Sequence, residues 1–321
     1  AGRRAACGLA REERIAVGCG VVAKGIEGRV LVAATLAHGV EHIALDGEVG
    51  GVIDLDDELR IGESARCGVE SGAVDALARG IGVGAPNGNY YTGCIESAAN
   101  LTWAKNQVVH FADMLSERVG IPVALTNDAN AAAYGEAVAG AGAGKKDFVM
   151  LTLGTGVGGG IIIDGKVLSG FNYAGAELGH IVIEVGGVPC GCGRRGCWEA
   201  YSSATALIRM TNEKLEECAA SGRKTVMTEL VEKSGKASGR TAFDAMRAGD
   251  EAGSEVVNTY VYYLAQGLIN IINIFQPEVL SIGGGVSGEG DYLLDMLVPL
   301  VRAEVYGQGI VKGTDIRIAS L

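Results

Sequence analysis

One imidazole and three thiols, His180, Cys190, Cys192 and Cys197, follow one another at offsets of ten, two and five. They make a complete tetrahedral donor set for zinc. The intervening run Cys190-Gly191-Cys192-Gly193-Arg194-Arg195-Gly196-Cys197 is rich in glycine, so the backbone can wrap tightly enough for three sulfurs to converge. Cys190 and Cys192 are too close to bridge each other easily. Nothing else in the chain points to an oxidising compartment, which leaves a disulfide or free buried thiols as the weaker alternatives. The expectation is a closed, structural zinc site. Two carboxylates flank it: Glu177 precedes His180 by three residues, and Glu199 follows Cys197 by two. Tied to a metal-organised loop, they look like a polar site for a hydroxylated ligand. If His180 gives one ring nitrogen to the metal, the other can hydrogen-bond outward.

The chain around this loop has 321 residues, a length that suggests two domains. A net charge of −11 argues against nucleic acid as a main partner. Of the eight cysteines, Cys7, Cys19, Cys67 and Cys94 are scattered before the loop and Cys218 follows it, which is not the pattern of a small disulfide-stapled secreted domain. No charged segment followed by an apolar core and a cleavage site opens the chain, so a cytoplasmic location is expected. The stretch Val256–Pro277 carries no charge, yet its Asn258, Gln266, Asn270, Asn273 and Gln276 would resist a hydrocarbon span. Its apolar residues recur at helical spacing, which predicts a long helix buried between two lobes and ended by Pro277.

Residues 1–89 contain no aromatic residue and only one proline, Pro86. Strand-like runs stand at Arg29–Ala34 and Gly80–Val83. Further on, Val108, Val109, Phe111, Met114 and Leu115 predict an amphipathic helix closed by Gly120. Ile121–Leu125 reads as a short buried strand running through Thr126-Asn127-Asp128-Ala129-Asn130 into an Ala-rich helix, 131–139. Strand, polar corner and helix is where α/β proteins keep their chemistry. Phe148–Leu153 and Gly160–Ile163 are apolar strands joined by a glycine run, and Asp164-Gly165 is a second hairpin turn. Residues 203–250 alternate helical and polar stretches. Strand Val279–Ile282 leads into Gly283-Gly284-Gly285 and a helix over 291–305.

Four segments are candidates for chemistry. Asp128 is the candidate base: at a strand-to-helix corner its carboxylate can accept the proton of an alcohol during phosphoryl transfer. The plainer reading is that Asp128 and Asn130 cap the helix. The turn Gly154–Gly160 suits phosphate, because backbone N–H groups can point inward without a Cβ in the way and Thr155 adds a hydroxyl. It is not a Walker loop, and a ligand-free hairpin is the alternative. Gly283–Gly288 is a second possible nucleotide loop. Asn100, beside Trp103, offers an amide that suits a sugar hydroxyl or simply stabilises a loop. His38, His42 and His110 have no partners at ligand spacing, and Arg194 and Arg195 read as a solvated pair.

Taken together, these runs resemble the ROK family of repressors and sugar kinases, and within it the bacterial ATP-dependent glucokinases. The resemblance rests on Gly84–Tyr91, Asn100-Leu101-Thr102-Trp103, Asn127–Glu136, Leu153–Gly160, Gly175–His180, the cysteine loop and Ser281–Gly285, over about residues 80–321. It implies an actin-like ATPase (ribonuclease H-like) α/β fold of two lobes with an interlobe cleft, placed here at 1–125 and 126–321. It implies zinc on His180, Cys190, Cys192 and Cys197, and Asp128 as catalytic base. Sugar hydroxyls would meet Asn100, Asn127, Asp128, Glu177, His180 and Glu199. ATP, with Mg2+, would lie against Gly154, Thr155 and Gly156 and against Gly283, Gly284 and Gly285. The implied activity is phosphorylation of a hexose, glucose first, by a cytoplasmic homodimer without nucleic-acid or membrane partners. Fructose, N-acetylmannosamine or N-acetylglucosamine are alternative substrates, and a non-catalytic sugar-binding protein or sugar-responsive repressor are alternative roles. A repressor needs a DNA-binding segment ahead of the sugar module, and the 83 residues before Gly84 fit the first kinase lobe instead.

The chain departs from the family in three places. The opening Asp-x-Gly-Gly-Thr-x-x-Lys strand has no counterpart, and the best register sets Val17 at the Asp, with Gly20 and Lys24 trailing. A rival register uses Ile43–Asp46. Ala99 stands where Pro is usual, and the family continues past the position of Leu321 into a glycine-rich turn and a helix.

Overall fold

The computed structural model describes residues 30–35, 42–45, 51–54, 60–61, 78–98, 101–307 and 313–321. Asn100, Ala99, Asp46, His38 and the register on Val17, Gly20 and Lys24 lie outside the described residues. The chain divides into two compact units, Ala1–Asp128 and Ala129–Leu321.

The first unit is built on three parallel strands in the order β1 (Val30–Thr35), β5 (Ala78–Gly84), β9 (Val123–Thr126). Two antiparallel meanders accompany them: β2 (His42–Leu45), β3 (Gly51–Asp54) and β4 (Arg60–Ile61), then β6 (Gly88–Asn89), β7 (Cys94–Glu96) and β8 (Val108–Val109). Helix α1 (Phe111–Val119) places Phe111 and Leu115 in a core with Ile81, Val83, Ile95, Leu101 and Leu125. Its end is the predicted one: Gly120 takes a left-handed φ of 72° and bonds back to the Ser116 carbonyl. Its start is not. Val108 and Val109 pair with Glu96 and Ile95 as a strand, because β-branched residues beside an open edge gain more from a ladder than from helical turns.

Helix α2 (Asp128–Ala139) begins two residues after the end of β9 and three residues earlier than its Ala-rich pattern suggested. The second unit carries a five-stranded sheet ordered β12 (Lys166–Val167), β11 (Val157–Ile163), β10 (Phe148–Leu153), β13 (Val279–Gly283), β14 (Asp315–Ile318). β10 and β11 form an antiparallel hairpin, whereas β10, β13 and β14 run parallel. The turn between β11 and β12 has both Asp164 (φ 50°) and Gly165 (φ 73°) in the left-handed region, as its Asp-Gly sequence demands.

Helices α3 (Glu199–Ser202), α4 (Ala204–Ser221), α5 (Val226–Ser234), α6 (Thr241–Arg247), α7 (Glu251–Phe275) and α8 (Asp291–Glu304) complete this unit. The uncharged run becomes α7, which stops at Gln276 just before Pro277. Its Val257, Val261, Leu264, Leu268 and Ile271 enter one core with Leu151, Leu153, Leu280 and Ile282 of the sheet. It is packed by α4, α6 and α8, so it is the central post of the second unit. Among the described residues no helix is long and apolar enough to cross a membrane.

Candidate active site and metal-binding loop

The four predicted metal ligands converge. Their donor atoms all lie within 4.8 Å of one another. Cys192 and Cys197 Sγ are 3.7 Å apart, and Cys190 Sγ is 3.7 Å from His180 Nδ1. Donors about 2.3 Å from a tetrahedral zinc stand about 3.8 Å from each other, so these spacings fit zinc. The loop is shaped by its own backbone: Cys190 N–H bonds the Arg194 carbonyl, and Pro189 bridges Arg195. Gly196 must be glycine, since its φ is 77° and a Cβ would strike the Glu184 carbonyl. Arg194 and Arg195 are exposed, as expected of a solvated pair, yet each ties the loop by donating to a carbonyl, of His180 and of Gly186.

The sulfurs do not share one environment. Burial, reinforced by the neighbouring thiols, pushes Cys190 up to about 12. Burial also raises Cys197, whereas the backbone at Arg194 lowers the exposed Cys192. All three can be thiolates together only with a cation among them. No disulfide forms among the described residues.

The sequence did not reveal what holds this loop to the body of the protein. Trp198, next to the last ligand, is fully buried and donates from Nε1 to the Tyr263 carbonyl of α7 at 3.0 Å. Its ring lies flat on α7 at Gly267, where any Cβ would overlap it. Tyr201 accepts the Val188 N–H at 2.7 Å and packs on Tyr263 with centroids 4.4 Å apart. A glycine at helical spacing opposite an aromatic is the only trace of this in the sequence.

The glycine run resolves into two jobs. The turn itself is only Gly154-Thr155-Gly156, because Val157 already pairs with Leu153. Gly158, Gly159 and Gly160 are strand residues whose missing side chains admit neighbours: Ala129 at Gly158, Leu178 at Gly159, Ala133 and the Ala129 carbonyl at Gly160. The expected phosphate cradle thus shrinks to three residues. Gly158 and Gly160 let α2, the helix headed by Asp128, rest directly on the sheet, and Gly159 makes room for Leu178. A Cβ at Gly179 would likewise strike the Val157 carbonyl, so the single 3-10 turn Leu178–His180 lies on β11 with Glu177 exposed at its head.

β10 and β13 are parallel neighbours, with Thr152 opposite Gly283. The Gly154–Gly156 turn and the Gly283–Gly285 turn therefore emerge side by side at the carboxyl ends of adjacent strands, the place where open α/β sheets bind ligands. Gly284 packs against the Leu153 backbone with φ 86°, while Gly154 and Gly285 face open space. A nucleotide's phosphates fit such a cradle, since backbone can approach them there without obstruction.

Glu199 joins the metal loop to this turn. Its Oε2 accepts the Val157 N–H at 3.1 Å, and Oε1 is 3.6 Å from Cys190 Sγ. Beside it a pocket of about 190 Å³ is lined by Thr155, Cys190, Glu199, Ser203 and Arg209. Asn127 stands at the β9–α2 corner and Asp128 is the first residue of α2, where the helix dipole favours a carboxylate. His110, given no role by its spacing, has Nδ1 3.3 Å from Cys94 Sγ.

The model of the ROK family matches residues 69–321. The chain is 39% identical over 244 residues to the glucokinase of Halalkalibacterium halodurans, covering 75% of this chain and 72% of that one. A ROK family glucokinase from Streptomyces griseus, solved in complex with glucose and AMPPNP, superposes with a TM-score of 0.67 at 31% identity, covering 89% of this chain and 92% of the other. The xylose repressor of Bacillus spizizenii is 28% identical over 71% of this chain and 54% of the repressor.

Proposed function

The chain belongs to the ROK family, and on that premise we propose that it is an ATP-dependent glucokinase, which transfers the terminal phosphoryl group of MgATP to O6 of glucose. The fold is the two-lobed, mixed α/β actin-like ATPase fold of the ROK sugar kinases. The observation that carries the reading is the pairing of two glycine turns at the carboxyl ends of β10 and β13, with the metal loop held against one of them by Glu199. A lone glycine run is compatible with any hairpin. Two side by side, each with an unobstructed glycine, are suited to a chain of phosphates.

The residues divide the work. Gly154, Thr155 and Gly156 receive the phosphates, and Gly283, Gly284 and Gly285 the nucleoside side. Asp128, the first residue of α2, accepts the hydroxyl proton as the oxygen attacks. Asn127, Glu177, His180 and Glu199 hold the other sugar hydroxyls, and Asn100 joins them by resemblance. Bound magnesium neutralises the charge that builds on the phosphate oxygens. His180, Cys190, Cys192 and Cys197 hold a structural zinc. Its role is to fix the loop carrying Glu199 and to orient the His180 ring. The lobes divide at about residue 125, and the enzyme acts in the cytoplasm as a homodimer.

The choice among hexoses turns on one or two side chains, so fructose, N-acetylmannosamine and N-acetylglucosamine remain the comparison substrates. A repressor role is disfavoured, because the chain matches glucokinases at higher identity than it matches the repressor. The test is ADP release with MgATP across these sugars. Glucose should give the highest kcat/KM, and Asp128→Ala should lower kcat about 10²- to 10⁴-fold with zinc content unchanged. Folded, zinc-loaded protein that turns over no sugar would sink the reading.

A further inference from the structure

The turn that the proposed function gives to the phosphates is held from behind by the start of α4, through atoms that no part of that reading uses. Ala204 N–H donates to the Gly154 carbonyl at 2.8 Å. Thr205 Oγ1 donates to the Thr155 carbonyl at 2.7 Å. In a planar trans peptide the carbonyl and the following N–H point in opposite directions. Pulling the Gly154 and Thr155 carbonyls toward α4 therefore turns the N–H groups of Thr155 and Gly156 away from it. It also removes two carbonyl oxygens from the face an anion would approach. Glu199 completes the brace by accepting the next N–H, that of Val157. The segment from Glu199 to Thr205 starts two residues after the last thiol ligand, so the brace is anchored on the metal loop.

We infer that Thr205 is a positioning residue for nucleotide: its hydroxyl fixes the Thr155–Gly156 peptide so that the Gly156 N–H meets a phosphate oxygen. The inference rests on the kinase reading and adds to it a residue that acts through the Thr155–Gly156 peptide. Thr205 is exposed, so Thr205→Val removes the hydroxyl at constant shape without disturbing the core. The expected result is a rise of about 3- to 10-fold in KM for MgATP, the worth of one hydrogen bond. The calorimetric Kd for MgADP should rise in parallel, while KM for glucose, zinc content and Tm stay as in the wild type. Thr205→Ser should restore both nucleotide values. Nucleotide constants equal to wild type in Thr205→Val would overturn the role of Thr205 and leave the kinase reading intact. So would equal losses for glucose and MgATP accompanied by a lower Tm. A wild-type protein that neither binds MgADP nor turns over MgATP with any sugar would overturn the kinase reading, and the inference with it.

Discussion

Cys197 is fully buried and Cys192 is exposed, although their sulfurs nearly touch. The loop thus presents one face to the core and one to water, and the donor set closes across that boundary. Cys197→Ser keeps the volume and loses the soft ligand, so zinc measured by atomic emission should fall well below one per chain. The Tm should fall with it, because metal affinity here is part of folding energy. The ligands could be read from the sequence because a donor's chemistry is the residue itself, and spacing alone showed that the four could meet. The roles of Thr205, Trp198 and Gly158–Gly160 could not. Thr205 acts through the carbonyl it happens to face, Gly158 and Gly160 through the helix that lies on them, and Gly159 through Leu178. Such roles belong to the path of the backbone and leave no mark in a residue's type.

At the level of elements, α7 offers a test in which two effects oppose. On helix propensity alone, Gly267→Ala should stabilise by about 1 kcal/mol. Against that, the new methyl would overlap the Trp198 ring, and forcing an extra carbon into a packed core costs about 1–3 kcal/mol. The overlap wins, so urea unfolding should show a net loss of stability together with a shifted Trp198 emission. The head of α7 makes a second test. Asp250 caps it by accepting the Gly253 N–H and also takes the Val226 N–H and the Thr225 hydroxyl at the start of α5. Burial pushes this carboxyl up, but the bonds from Gly253, Val226 and Thr225 outweigh it and hold the group below its ordinary range. A depressed carboxylate stabilises above its unfolded pKa and loses that contribution as pH falls through its folded one. Asp250→Ala should therefore cost about 0.5–2 kcal/mol near pH 7, and the gap from wild type should narrow below about pH 4. Most elements followed from periodicity and caps: β10, the Gly120 helix end and the stop before Pro277 lie where the pattern put them. Val108-Val109 did not, because a two-residue strand is decided by an available edge, which lies elsewhere in the chain.

For the whole molecule, ligand and metal should be thermodynamically linked. Glucose at a hundred times its Kd should add about 2.7 kcal/mol to unfolding stability. Chelating the zinc should abolish that increment as well as lower the Tm, since the loop that carries Glu199 also anchors the glycine turn. Scanning calorimetry with and without glucose, before and after chelation, checks both. An undiminished glucose effect in zinc-free protein would separate the metal from the sugar site. The fold class was legible because glycine turns, the Asn127–Glu136 run and the cysteine loop each mark a fixed place in one architecture. The adjacency of the two turns was not, because β10 and β13 pair across more than a hundred intervening residues.

Trp198 rests on Gly267, far downstream in the chain. On a ribosome, all four zinc ligands are made and exposed while the helix they will lean on does not yet exist. During that interval no packing can gather the thiols, so on the proposed zinc reading it falls to the ion to keep them together until α7 arrives to receive the indole.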